Sequence, residues 1–303
     1  MRPTRPLAAA LAEETLVLDG GLSNQLRAQG CDLSDALWSA RLLVEGPRQI
    51  EAAHAAYVRA GAQVLITSSY QATYEGFARR GIARAAAARL LARSVDLARE
   101  AGGAVEREVW VAASVGPYGA MLADGSEYRG RYGLSVAELE RFHRPRIETL
   151  AAAAPDVLAL ETVPDEDEAR ALLAAAEGCG VPVWLSYSVG ADGERTRAGQ
   201  PLAEAFALAA GNDQVVAVGI NCCEPAAVDR AIEIAAKVTD KPVVVYPNSG
   251  ERWDATARAW RGDATFDPSR VSAWRSAGAC LVGGCCRVGP EAIARLRPGG
   301  PVP

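Results

Sequence analysis

Residues 215–223 read Val-Val-Ala-Val-Gly-Ile-Asn-Cys-Cys. Six positions pass without a polar residue, and the run then ends abruptly in a polar, thiol-bearing tip. An unbroken apolar run of this length marks a strand buried on both faces, as in a parallel sheet covered by helices. Seven more runs of the same kind occur: Leu16–Leu18, Gln63–Thr67, Val109–Ser114, Val157–Leu160, Pro182–Ser186, Val243–Tyr246 and Cys280–Val282. The segments between them are rich in Ala, Leu, Arg and Glu and carry helix punctuation. Pro164-Asp165-Glu166-Asp167-Glu168 opens one helix with acids in its first turn, and Gly178 closes it. Gly61 ends a helix from Pro47 to Ala60, and Asp267-Pro268-Ser269 starts another that stops at Gly278. Strand and helix alternating eight times predict a single-domain (β/α)8 barrel spanning the chain, with its core at about residues 15–297 and a frayed tail from Arg297 to Pro303. The rival open sheet would carry a Gly-rich phosphate turn, and Gly20-Gly21-Leu22-Ser23 is not one.

Composition agrees. The chain has 303 residues, 50% hydrophobic and 23% charged, enough for one barrel with insertions. A net charge of −5 without a basic stripe argues against nucleic-acid binding. The apolar runs are too short for a membrane span. The opening MRPTRPLAAALAEE stops at Glu13 and Glu14, too early for a signal peptide. Seven cysteines, an odd number with two adjacent pairs, read as reduced thiols in a cytoplasmic protein. Tyr118–Gly133 is too long for a minimal connection and is expected to lie over the barrel mouth.

In such a barrel, chemistry sits where strands end at the C-terminal face. The tips carry Asp19-Gly20-Gly21, Thr67-Ser68-Ser69-Tyr70-Gln71, Gly116-Pro117-Tyr118-Gly119, Glu161-Thr162, Asn221-Cys222-Cys223, Pro247-Asn248-Ser249-Gly250 and Gly283-Gly284-Cys285-Cys286. Strands 6 and 8 are next-but-one neighbours, so their cysteines can meet across one site. Three thiolates suit a soft tetrahedral zinc ion with one open position; buried thiols or a disulfide between the clusters are the alternatives. Three thiolates weaken the Lewis acidity needed for hydrolysis but can hold a substrate thiolate that stays nucleophilic. Only two histidines occur, His54 and His143, both on helices and read as packing or surface residues, which leaves no histidine base. The chemistry that remains is alkyl transfer to a thiol.

These tips, together with Gly219-Ile220-Asn221-Cys222 and Val245-Tyr246-Pro247-Asn248-Ser249-Gly250, resemble the homocysteine S-methyltransferase family in order and spacing, from about residue 15 to 297. Trp38, in Ser34-Asp35-Ala36-Leu37-Trp38-Ser39, and Ala123-Asp124-Gly125-Ser126-Glu127-Tyr128-Arg129-Gly130 are most similar to the branch that uses S-methylmethionine. The resemblance implies a (β/α)8 fold, zinc held by Cys222, Cys285 and Cys286, and Asn248 as a fourth ligand before substrate binds. Cys223 departs from the family pattern; motif register favours Cys222. The resemblance also supports Asp19 and Glu161 as partners of the homocysteine ammonium. Gly20 and Gly21 offer backbone N–H groups to its carboxylate, with Thr67 as a hydroxyl donor. Trp38, Tyr70 and Tyr118 are candidates to face a sulfonium donor. S-adenosylmethionine or betaine as donor is the nearest alternative, and a cysteine-cluster zinc or redox sensor is the alternative of another class.

Overall fold

The computed structural model describes residues 2–34, 37–254 and 259–297; the side chains of residue 38 and of 252–254, 259 and 260 lie outside that description. Eight strands form the expected barrel: β1 (Leu16–Val17), β2 (Val64–Ile66), β3 (Trp110–Val115), β4 (Val157–Val163), β5 (Val183–Tyr187), β6 (Val215–Asn221), β7 (Val243–Tyr246) and β8 (Ala279–Val282). All pair in parallel, from β2 through to β8 and on to β1. A parallel bridge between Leu18 and Val64 joins β1 to β2 and closes the ring.

The unbroken apolar runs have a simple cause: alternate residues enter two different cores. Trp110, Ala112, Ala159, Trp184, Ala217, Val244, Tyr246 and Leu281 fill the barrel interior. Their neighbours Val111, Leu158, Leu160, Leu185, Val218, Val245 and Val282 pack outward under the helices. The helix punctuation also holds. Pro47–Ala60 ends at Gly61 with φ 105°, and Asp165 caps Glu166–Ala176 by accepting from the Glu168 amide at 2.8 Å.

One element is absent from the sequence expectation. The opening segment forms a helix, Leu7–Glu13, that closes the floor of the barrel. Leu7, Ala10 and Leu11 join the interior core, each side chain of the leucines contributing about 1.5–3 kcal/mol by burial. Arg5 pairs with Glu13 at 2.6 Å and Glu108 at 3.0 Å, and also with Glu14. The Trp110 indole N–H donates to the Arg5 carbonyl at 3.1 Å.

The long segment after β3 does lie at the mouth. It forms a short helix, Tyr118–Leu122, and a 3-10 turn, Ser126–Tyr128. At Gly119 a Cβ would sit 2.6 Å from the Ser126 carbonyl carbon, so only glycine lets the two backbones meet. Asp165 then anchors the segment by accepting from the Arg131 amide at 2.8 Å. Among the described residues no helix is long and apolar enough to cross a membrane.

Candidate active site

The strand tips bring three thiols together. β6 ends at Asn221, whose buried amide is fixed by the Thr162 N–H at 2.8 Å, the Thr162 hydroxyl at 2.7 Å and the Ser186 hydroxyl at 2.8 Å. Cys222 then turns the chain with φ 51°, a strained value for a residue with a Cβ. Opposite, Cys285 donates its amide to the Pro247 carbonyl at 2.7 Å, and the Ser249 amide donates to the Cys286 carbonyl at 2.9 Å. The tip of β7 thus links the other two. Gly283 is needed behind them, since a Cβ there would lie 2.6 Å from the Asp19 carbonyl oxygen.

Cys222 Sγ lies 2.9 Å from Cys285 Sγ and 3.8 Å from Cys286 Sγ. All three sulfurs fall within 4.8 Å of one another. A tetrahedral ion about 2.3 Å from each sulfur would hold them about 3.8 Å apart, so the donor set fits with a small opening of one pair. Hydrogen bonds from Cys222 and Cys285 hold the Cys286 thiol well below its ordinary value, and those around Cys285 push that thiol up. The left-handed backbone at Cys222 separates 222 from 223: along β6 Val218 and Ile220 pack outward, and the turn at Cys222 reverses that alternation. Cys223 packs into the outer core and burial pushes its thiol up to about 12, leaving Cys222 to face the mouth. Asn248 lies beside the cluster, its side-chain oxygen accepting the Cys286 amide at 3.0 Å.

Two carboxyl groups border the thiols. Asp19 at the tip of β1 accepts from the Ile66 amide at 2.9 Å through one oxygen, while the other has no partner among the described residues. Burial, and the charge of Glu161, push Asp19 well above the carboxylate range. Glu161 sits where β4 changes register before Val163, next to Thr162 with φ 58°. Burial pushes Glu161 to about 7 even though Ser114 donates its hydroxyl to it; nearby Cys222 adds to the rise. Two buried acids with an unmet oxygen are costly unless a cation joins them.

The remaining expected residues are placed less simply. The Thr67 hydroxyl accepts the Ser114 amide at 3.0 Å and meets Ser69 Oγ at 2.7 Å. Ser69 itself donates to the Ser114 carbonyl at 2.8 Å, so the Thr67 proton points to Ser69 and the group braces the tips of β2 and β3. The Gly21 amide donates to the Val288 carbonyl at 2.9 Å, and Gly20 packs against that same carbonyl and Tyr57. Tyr70 faces the site: its hydroxyl bonds to Thr162 and it lies in the field of Cys222, Glu127 and Glu161. Tyr118 packs its ring on Phe142 at 4.8 Å and on Tyr132 at 5.2 Å. Trp38 begins a 3-10 turn, Trp38–Arg41, and its side chain lies outside the described residues.

Sequence reasoning passed over two residues of the mouth segment. The Tyr128 hydroxyl lies 3.5 Å from Cys222 Sγ. Glu127, beside it, feels the charge of Cys222, and burial pushes its carboxyl to about 7. Both stand in the stretch that carried the branch resemblance, the one signal that could have found them. Neither histidine reaches the site. His143 is fully buried, its Nε2–H donating to Glu168 at 2.9 Å and its Nδ1 accepting from Arg146 at 2.7 Å. That trio holds the β3 loop through the Tyr118 amide, 2.5 Å from Glu168, and the Gly116 carbonyl, which Arg146 also bonds. His54 is equally buried, with neither ring nitrogen partnered among the described residues.

Comparison with known proteins agrees with this fold. The family described as homocysteine S-methyltransferase matches residues 16–298. The chain belongs to that family. The homocysteine S-methyltransferase of Escherichia coli (strain K12) is 45% identical over 308 residues, covering 98% of this chain and 99% of that protein. Homocysteine S-methyltransferase 4 of Zea mays is 46% identical over 300 residues, covering 92% and 87%. The crystal structure of the homocysteine methyltransferase MmuM from Escherichia coli, in its metallated form, aligns with a TM-score of 0.86 at 44% identity, over 96% of this chain and 99% of that one. A homocysteine S-methyltransferase barrel with a cysteine cluster at its mouth accounts for the expected fold and for the meeting of strands 6 and 8.

Proposed function

We propose that this chain transfers a methyl group from S-methylmethionine to the thiol of L-homocysteine, giving methionine, with zinc held by Cys222, Cys285 and Cys286. The observation that carries the reading is the meeting of three thiols and two buried acids, one with an unmet oxygen, at one end of the barrel. Family membership and the metallated relative support it. Zinc bound there lowers a thiol's pKa so that it is a thiolate near neutral pH.

The chain's own residues do the rest. Asp19 and Glu161 take the homocysteine ammonium, which relieves their burial and fixes where its sulfur points. Gly20, Gly21 and Thr67 shape the wall beside its carboxylate, and Asn248 keeps the Cys286 amide in register. Tyr70, with Trp38 and Tyr118 as further aromatic candidates, orients the donor. The homocysteine sulfur, its proton lost to solvent, attacks the methyl carbon in line. The new S–C bond forms as the sulfonium S–C bond breaks, and its electron pair returns to the departing sulfur. Both products are then methionine. The donor's positive charge disappears in the reaction, so aromatic faces can hold it without trapping it as a full carboxylate contact at sulfur would. The thiols require a reducing compartment, which suits the cytoplasm.

The test is metal content and methionine formation under reducing conditions, for wild type and Cys285→Ser, with homocysteine and S-methylmethionine. About one zinc per chain, lost together with activity in the variant, is the expected result. Turnover preserved in a variant that binds no zinc would overturn the reading.

A further inference from the structure

Homocysteine and an amino-acid sulfonium donor present the same ammonium and carboxylate, so one mouth must hold two zwitterions. Asp19 and Glu161 serve the acceptor in the reading above, on which this inference rests. A third carboxylate stands near the thiols, in the field of Cys222. Glu127 lies in the 3-10 turn Ser126–Tyr128, which is fixed from below by the backbone contact on Gly119 and from its start by Asp124, which accepts the Ser126 amide at 2.9 Å. The neighbouring Tyr128 hydroxyl reaches Cys222 Sγ at 3.5 Å, which places this turn directly beside the thiol cluster. Glu127 Oε2 is shielded from solvent and has no hydrogen-bond partner among the described residues. Across the Tyr128 ring, the Arg197 guanidinium lies 5.7 Å from the ring centroid. Its Nε bonds to Ser188 Oγ at 3.3 Å, which ties the guanidinium beside the mouth segment.

We propose that Glu127 and Arg197 read the donor: Glu127 takes its α-ammonium and Arg197 its carboxylate, with the Tyr128 ring between them. The chemistry explains why the carboxylate is set off from the sulfonium. A charge that persists through methyl transfer can be paired with full strength in ground and transition states alike, whereas the sulfonium charge cannot. Glu127 is therefore a binding and specificity residue, and its loss appears in the donor KM with kcat largely kept. The site prefers a methyl donor that carries a primary ammonium over one that lacks it.

The experiment measures kcat and KM for two donors with homocysteine as acceptor, in wild type, Glu127→Gln and Arg197→Gln. S-methylmethionine carries both the ammonium and the carboxylate; dimethylsulfoniopropionate carries only the carboxylate. In Glu127→Gln the S-methylmethionine KM rises at least about 30-fold, as expected for truncating one partner of a buried charge pair, while dimethylsulfoniopropionate is unaffected. In Arg197→Gln both donors lose. A Glu127→Gln variant that loses equally on both donors, loses on neither, or sheds its bound metal overturns the assignment. Wild type inert with S-methylmethionine overturns the donor named above instead. The Glu127 assignment is then scored in the same variants on S-adenosylmethionine, which has the ammonium, and falls if only betaine, which lacks it, is used.

Discussion

The floor and the mouth of the barrel are ends of the same strands, yet they treat polarity in opposite ways. At the floor Leu7 and Leu11 cover the interior, and the polar atoms that remain are matched: the Trp110 indole with the Arg5 carbonyl, and Arg5 with three glutamates. At the mouth, Asp19 and Glu127 each keep a buried oxygen without a partner among the described residues, and Cys222 and Thr162 hold left-handed backbone. Such features cost stability and persist where the rest of the fold over-determines them. The difference teaches how the work is divided: the floor supplies the surplus that lets the mouth wait, unsatisfied, for its ligands.

Breaking the two ends separately should give opposite phenotypes. The largest effect is expected at the mouth, where Cys222→Ser lowers kcat/KM for methyl transfer by about 1,000-fold or more, a barrier increase of about 4 kcal/mol. Its urea midpoint, measured without metal, stays near that of wild type. Next comes the floor. Leu11→Ala, at 3% exposure, costs about 2–5 kcal/mol of unfolding free energy, while kcat per folded molecule is kept. Loss of activity in step with folding at both ends would erase the distinction.

A third measurement uses the shell between the ends. Burial lowers the His54 pKa to about 4, against an ordinary value of 6.5. The unfolded chain therefore takes up a proton as pH falls through 6.5, and the folded one only near 4. Stability supplied by this site is complete above pH 6.5 and declines as pH falls toward 4, by about 3 kcal/mol in all. Denaturant midpoints of wild type and His54→Leu at pH 7 and pH 4.5 check it: the wild type should lose more on acidification. The smallest effect sharpens the link between mouth segment and frame. Asp165→Ala removes both a helix cap and the anchor of Arg131, costing about 1–2 kcal/mol, with proteolysis of the segment 123–133 becoming faster.

The barrel was legible because its strands are buried on both faces, so Val157–Leu160 or Val215–Ile220 need no alternation to be recognised. The thiol cluster was legible for a related reason, since the tips of β6 and β8 are fixed once the strand count is known. Motif register already favoured Cys222 over Cys223, and the physical reason needed the structure, because the side a residue faces after the last strand pair depends on the left-handed turn at Cys222. Glu127 and Tyr128 escaped the reading for a different reason. Their position follows from Gly119 and Asp165, contacts that no local periodicity announces. Thr67 had the right side chain at the right tip, but Ser69 and the Ser114 amide claim its hydroxyl. The floor helix carried a signal, Leu7, Ala10 and Leu11 on one face, that resembles the start of an apolar leader and so drew attention to targeting instead of packing.

That helix also sets an order of events during synthesis. Leu7–Glu13 and β1 leave the ribosome well before β8, yet β1 pairs with β8, and the helix packs on an interior to which Leu281 of that strand contributes. Until Leu281 has been made, the apolar face of the plug has no finished floor to enter. The nascent chain must carry that face exposed while the intervening strands are made, which makes the helix a segment in need of chaperone cover.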